Sequence, residues 1–159
     1  MRLPRYTVGM KNMFDAATAN EVKARIAQLR PDSERLWGTM SAAQMAAHCA
    51  VGMQMTLGDV NPPRIFIGRI IGPSIKRKVL GNDDPLRQNS PTAKALVVSD
   101  DRDLETERER LLGFIDRFVG AGAEGCTKHP HAFFGPMTPE EWAELSYKHL
   151  DHHLRQFGV

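Results

Sequence analysis

Apolar positions along this chain recur mainly at intervals of three and four, the period of a helix with one buried face, and not at the alternate positions of a strand. The clearest stretch is 104–119, where Leu104, Leu111, Leu112, Ile115, Phe118 and Val119 oppose a charged side of Glu105, Glu107, Glu109 and Arg110. Asp100 or Asp101 is positioned to cap this helix, and the glycines of 120–125 to stop it. Nearer the start, residues 1–19 lack sustained periodicity and read as an irregular lead segment. Asn20 can then cap a helix from Glu21 to about Arg30, with Val22, Ile26 and Leu29 on one face. Leu36 and Trp37 read as apolar anchors in the connection that follows.

Two further helices announce their own starts. Ser41 and Gln44 form an S-x-x-Q capping box, with Met40 and Met45 spaced as a hydrophobic staple, so a helix is predicted from Ala42 to about Leu57 with Gly58 as its stop. It carries hardly a charge and should be central and buried. Thr138, Pro139 and Glu141 combine a capping box with proline at the first helical position, and Met137 and Trp142 repeat the staple, so the last helix runs to Gly158. Between these, 64–81 is apolar and basic but cut by Gly72 and Pro73, and reads as one broken helix or two short ones. The stretch 81–91 has loop composition and suits a lid or crossover. Four principal helices and one broken segment predict an all-α fold, a four-helix bundle with a long loop between its second and third long helices.

Composition narrows the class. A chain of 159 residues, 42% hydrophobic and 25% charged, fits a single helical domain over 1–159. A formal charge of +2 is too slight to argue for nucleic acid as partner. Cys49 and Cys126 lack a paired spacing, so a reducing cytoplasm is expected, and no signal sequence is apparent at the start. The most apolar window, Ile65 to Ile75, is broken and too short to span a bilayer, so no membrane partner is expected. The basic run Lys76, Arg77 and Lys78 reads as a solvated helix end before a surface contact.

Histidine carries the chemistry. Three of the six fall at His149, His152 and His153. On a helix His149 and His153 lie about 40° apart and share a face with Trp142, Leu145 and Gln156, while Asp151 and Glu144 lie opposite. Two imidazoles on adjacent inward turns need separate partners or one shared cation, and i, i+4 spacing suits the cation; by spacing alone His152 could replace His153. His48, on the face of Met45, Gly52 and Met55, would be costly if unpaired among apolar neighbours. Its bland alternative is a bond to a backbone carbonyl. Together His48, His149 and His153 can make a three-nitrogen site with open positions for a divalent metal, zinc or nickel first. His129 and His131, in the loop before the last helix, can line the pocket mouth or serve as ordinary loop residues. Cys49 sits about 100° from His48 and reads as core packing, as do the methionines.

At these residues the chain resembles the DinB-like (DinB/YfiT) superfamily of four-helix metalloproteins, and within it a branch known as a domain of unknown function. The resemblance rests on LWGTMSAAQMAAHC, which includes Gln44 and His48, and on HAFFGPMTPEEWAELSYKHLDHHLRQFG at the end, and it spans about Ser33 to Gly158. It implies metal binding by a histidine of the second helix and an H-x-x-x-H pair of the last, which are His48, His149 and His153, with Gln156 matching the usual pattern three residues on. Related bundles often dimerise, which leaves a homodimer open. Characterised relatives act as transferases or isomerases that use low-molecular-weight thiols. With no carboxylate at the phase of the metal-bearing faces, thiol-dependent transfer to a small-molecule electrophile is the first expectation. Metal-dependent hydrolysis and a non-catalytic metal-binding or interaction bundle are the alternatives.

Overall fold

The computed structural model describes residues 10–159 and is all-helical, with five α-helices and no strand among the described residues. The helices are α1 (Ala16–Ile26), α2 (Ala42–Leu57), α3 (Phe66–Val79), α4 (Leu104–Ala121) and α5 (Pro139–Gln156). Residues 1–9 of the expected lead segment lie outside the described residues, and none of the described helices is long and apolar enough to cross a membrane.

α2 begins at Ala42 as its capping box predicts: Ser41 Oγ accepts from the Gln44 N–H at 3.1 Å and Gln44 Oε1 from the Ser41 N–H at 2.9 Å. Each such cap contributes about 1 kcal/mol by satisfying donors that the helix leaves unpaired. Gly58 ends the helix at φ +81°, where a side chain would be strained. Ala42, Ala46, Ala47 and Ala50 keep α2 slim and buried, and it packs against both α4 and α5. Met45 and Met53 of α2, Ile115 and Phe118 of α4, and Leu150 and Leu154 of α5 belong to one apolar core, which Val22 and Ile26 of α1 close.

α1 and α4 start elsewhere than expected. Asp15, not Asn20, caps α1, because its carboxylate takes both the Thr18 N–H and the Thr18 hydroxyl. The helix therefore opens at Ala16 and closes at Ile26, leaving Leu29 buried beyond its end. Asp103, not Asp100 or Asp101, caps α4, again through a threonine three residues on, Thr106. In both places the acid that wins is the one with a Thr that can donate twice. Leu36 is 69% exposed and anchors nothing through its side chain; its backbone N–H instead donates to the Gln156 carbonyl at 2.7 Å. α5 follows its prediction, with the Thr138–Glu141 box intact, Pro139 first, and Gly158 at φ +71° just beyond.

The expected break in 64–81 does not occur: α3 is one helix with Pro73 inside it. The residue before a proline normally resists the helical region because its Cβ meets the ring, and Gly72 has no Cβ. The same glycine face carries the packing. Gly68 and Gly72 are the buried residues of α3, and a Cβ on either would run into the Phe133 carbonyl oxygen. The Ile65 N–H donates to the Ala132 carbonyl at 2.8 Å and Lys76 Nζ to the Pro136 carbonyl at 2.9 Å, so α3 clamps the loop 131–136 instead of joining the core. Its large residues Phe66, Ile67, Ile70 and Ile71 face outward.

The long connection from α3 to α4 is fastened to α5. Buried Lys148 donates to the Val79 carbonyl at 2.6 Å, to Asn82 Oδ1 at 2.9 Å and to the Asp84 carbonyl at 3.0 Å, while Glu144 accepts the Gly81 N–H at 2.8 Å. The chain then crosses to α2 and makes a short 3-10 turn at Lys94–Leu96.

These contacts set the sign of one substitution. Alanine is the better helix former by about 1 kcal/mol, yet Gly72→Ala should weaken α3, since backbone cannot yield as a side-chain tip can. Hydrogen exchange is expected to speed up in α3 and 131–136 with α2, α4 and α5 unchanged. Slower exchange in α3 would refute that packing role.

Candidate metal centre

His48, His149 and His153 converge: their candidate ligand nitrogens all lie within 4.8 Å of one another. A tetrahedral ion held by three imidazoles has its ligand nitrogens about 3.3 Å apart, from bonds of about 2.0–2.1 Å, a value that lies between the shortest spacing here, 2.8 Å, and the 4.8 Å limit. His48 reaches the centre from the middle of α2, and His149 and His153 come from adjacent turns of α5. Ring centroids stand 4.8 Å apart for His48 and His149, 4.5 Å for His48 and His153, and 4.9 Å for His149 and His153. Gly52 makes room: a Cβ there would lie 3.0 Å from the His149 ring.

Hydrogen bonds on the outer ring nitrogens aim the inner ones. His48 Nδ1 lies 2.8 Å from the Leu96 carbonyl, which can only accept, so the proton sits on Nδ1 and the Nε2 lone pair is free. Gln156 Nε2 donates to the Trp37 carbonyl at 2.8 Å, which turns Gln156 Oε1 towards His153 Nδ1, also at 2.8 Å. His153 therefore likewise carries its proton outside and presents Nε2 inward. Such outer partners fix the tautomer and orientation of metal-binding imidazoles. His48 Nε2 and His149 Nε2 lie 2.8 Å apart, a pair that either one shared proton or one shared cation satisfies. The donor set fits a metal ion.

Burial keeps these rings neutral, the form that binds metal. It pushes His48 down, partly opposed by the Leu96 carbonyl; it holds His149 well below the ordinary value, helped by its neighbouring histidines; and with His48 it takes His153 down to about 3. His131 falls to about 4 through burial and the nearby Arg64 charge.

The other candidates separate. Gln156 holds His153, as above. Gln44 serves the capping box and donates to the Asp100 carbonyl at 3.1 Å, away from the ligand nitrogens. His152 is not among the converging three; its ring meets the edge of Trp37 at 5.6 Å and His153 at 4.9 Å. His129 is exposed on the rim of an apolar cavity of about 500 Å³, whose wall includes His131 and Trp142. A smaller space of about 110 Å³ lies against His149 and shares Met55, Leu96, His131 and Trp142 with the larger one. Leu86 borders the small space, so the 81–91 loop touches the site at one residue. Cys49 is buried with its thiol pushed up by burial, and Cys126 is raised to about 11, so neither is an activated nucleophile. The Leu96 carbonyl escaped sequence reading because a backbone acceptor on a distant loop has no residue signature. Gly52 was visible on the His48 face, but not what it made room for.

A family model described as a protein of unknown function (DUF1569) matches residues 10–158. No curated protein and no solved structure matches the chain.

Two measurements follow from this geometry. Gln156→Ala should weaken zinc binding by about 10- to 100-fold, because His153 loses its fixed tautomer; unchanged affinity in a competition titration would show that the outer bond is idle. The second concerns pH. The unfolded chain takes up histidine protons near the ordinary 6.5, whereas folded His153 and His131 do so only near 3 and 4. Their contribution to stability is therefore whole above about pH 6.5 and shrinks as pH falls towards 4. The melting temperature of metal-free protein should drop between pH 7 and pH 5, above the range where the carboxylates titrate. A flat profile over that interval would contradict the neutral burial of these rings.

Proposed function

The chain belongs to the DUF1569 family, and we propose that this member is a metal-dependent enzyme of the DinB-like type that transfers a low-molecular-weight thiol to a small electrophile. The observation that carries the proposal is the neutral triad of His48, His149 and His153 beside a cavity large enough for a small molecule. Zinc or nickel held there keeps its full charge and lowers the pKa of a thiol bound beside it. The sequence resemblance to the DinB-like superfamily supports the same direction.

The chain's own residues favour a thiol over water. Hydrolysis by a metal-bound water usually draws on a nearby carboxylate to move the proton. Three of the four acids of α5 are engaged elsewhere, Glu141 in its capping box and with Lys76, Glu144 with the Gly81 N–H, and Asp151 with Arg25 and Arg155, and the fourth, Glu140, is exposed in the first turn. A thiol, with an ordinary pKa near 8.5, loses its proton to solvent with less help. In the proposed transfer the sulfur electron pair forms a new C–S bond, and the electron pair displaced from the electrophile stays on its oxygen or departs with a leaving group. His48 and His153, locked by Leu96 and Gln156, hold their nitrogens in place, and the apolar cavity keeps water from the reacting carbon.

The proposal includes a reducing cytoplasmic setting and a small-molecule partner, with no role for nucleic acid or membrane. A homodimer is compatible with it.

Zinc- or nickel-loaded protein incubated with several cellular thiols and a general electrophile should form thioether product, and His149→Ala should lose most of that rate while remaining helical. Equal rates in the two proteins would remove the transferase reading. Ester or amide cleavage that needs the metal but no thiol would install a hydrolase in its place, and a centre that takes up metal without turning over either substrate class would favour a binding bundle.

A further inference from the structure

The two cavities share one wall, and its polar groups have an unusual sign. His131 Nδ1 accepts the backbone N–H of Phe133 at 3.1 Å and that of Phe134 at 3.0 Å. A ring nitrogen facing two donors must offer its lone pair, so the single proton of the neutral ring is on Nε2. Protonating the ring would set an Nδ1–H against two amide hydrogens, and burial opposes the charge as well. The tautomer is held by a tight turn, in which His131 and Gly135 exchange both backbone hydrogen bonds, at 2.8 and 3.0 Å, and by Phe134 stacked on the imidazole at 4.6 Å. Nε2–H has no partner among the described residues, yet it is not shut away from solvent as an orphaned buried atom would be. Trp142, 5.4 Å from His131 between ring centroids and part of the same wall, has a buried indole N–H that likewise lacks a partner among the described residues. The rest of the larger cavity is mostly apolar, with Met55, Val60, Pro62, Ile65 and Phe133 on its surface.

We infer that the cavity beside the histidine triad takes an uncharged, mainly apolar small molecule bearing a carbonyl-class oxygen, which accepts a hydrogen bond from the Nε2–H of His131. An open donor on an otherwise apolar wall selects a ligand with an acceptor, because an apolar group placed against it would displace its water and leave it unpaired. The ligand is uncharged because the smaller space has no charged side chain in its lining and Lys94, which lines the larger one, is exposed, so the lining would not compensate a buried anion. The larger space holds the apolar body, and the smaller one, between His131 and His149, holds the polar end. The inference rests on the proposed enzyme only in taking that polar end to be the reactive one. His131 then acts as a substrate-orienting donor, not as a base, since the lone pair a base would need is already occupied by the Phe133 and Phe134 amides.

Ring-nitrogen NMR at neutral pH should find His131 as the Nε2–H tautomer, with and without added zinc. Acetophenone, ethylbenzene and benzoate serve as probes, titrated into metal-free wild type and metal-free His131→Asn. Asparagine Oδ1 takes nearly the place of Nδ1 and can accept the same two backbone N–H groups, while its amide nitrogen stops short of the Nε2 position. Acetophenone affinity should fall about 3- to 10-fold in the variant, the value of one hydrogen bond, with ethylbenzene affinity changed less than about 2-fold. An Nδ1–H or doubly protonated His131, equal losses for ketone and hydrocarbon, benzoate bound more tightly than acetophenone, or no binding of any probe would each overturn the inference. Failure of the metal reading looks different: no zinc uptake, with ketone binding still sensitive to His131→Asn.

Discussion

Everything at the candidate centre depends on what the outer nitrogen of each imidazole is given to do. A neutral histidine has one donor and one acceptor, and in a dry core neither can be left to water. The Leu96 carbonyl takes the proton of His48, and Gln156, itself turned by the Trp37 carbonyl, takes that of His153. Only then do two Nε2 lone pairs face the same point. Exchange either outer partner for a donor and the ring would turn its proton inward, where it would repel a cation. His131 obeys the same rule with the opposite sign: two backbone donors occupy its Nδ1 lone pair and leave its proton on Nε2.

The acceptors come from segments far apart in sequence, so the fold has to carry them to the centre. Trp37 reaches Gln156 because the segment before α2 is tied to the end of α5 through the Leu36 N–H. Leu96 reaches His48 from the short 3-10 turn at Lys94–Leu96, which packs on α2, while Lys148, a buried ammonium with three oxygen partners, fastens the start of the long α3–α4 connection to α5. A buried cation so fully paired gives the loop one position, as its loss would leave three oxygens or one charge unsatisfied. The residue before the candidate ligand His149 thus holds the start of the connection that later carries Leu96 to His48.

Small residues do comparable work where chains must come close. Gly52 leaves space for the His149 ring, and Gly68 and Gly72 bring α3 down onto the turn that holds His131. In α3 this inverts the usual pattern, since the glycines are buried and the isoleucines are exposed. A reading that equates apolar with inward therefore misjudges this helix and the side of α5 that buries Glu144, Lys148 and Asp151, although it describes most of α2 and α4.

By itself the sequence determined the helical class, the starts of α2 and α5, and the inward face that His149, His153, Trp142 and Gln156 share, because capping boxes and a period of 3.6 are local properties of neighbouring residues. It also singled out the three histidines that converge. Where more than one residue could cap a helix, Asn20 or Asp15 for α1 and Asp100, Asp101 or Asp103 for α4, the cap residue type alone was not enough, since the ones used have a threonine three residues on whose hydroxyl adds a second hydrogen bond. Only the tertiary structure decided between His152 and His153, chose the Leu96 carbonyl as the partner of His48, and set the tautomers of His48, His153 and His131. The physical reason is that a tautomer is fixed by whichever group meets the other nitrogen, and here those groups are mostly backbone atoms, identical in every residue and placed by the path of the chain.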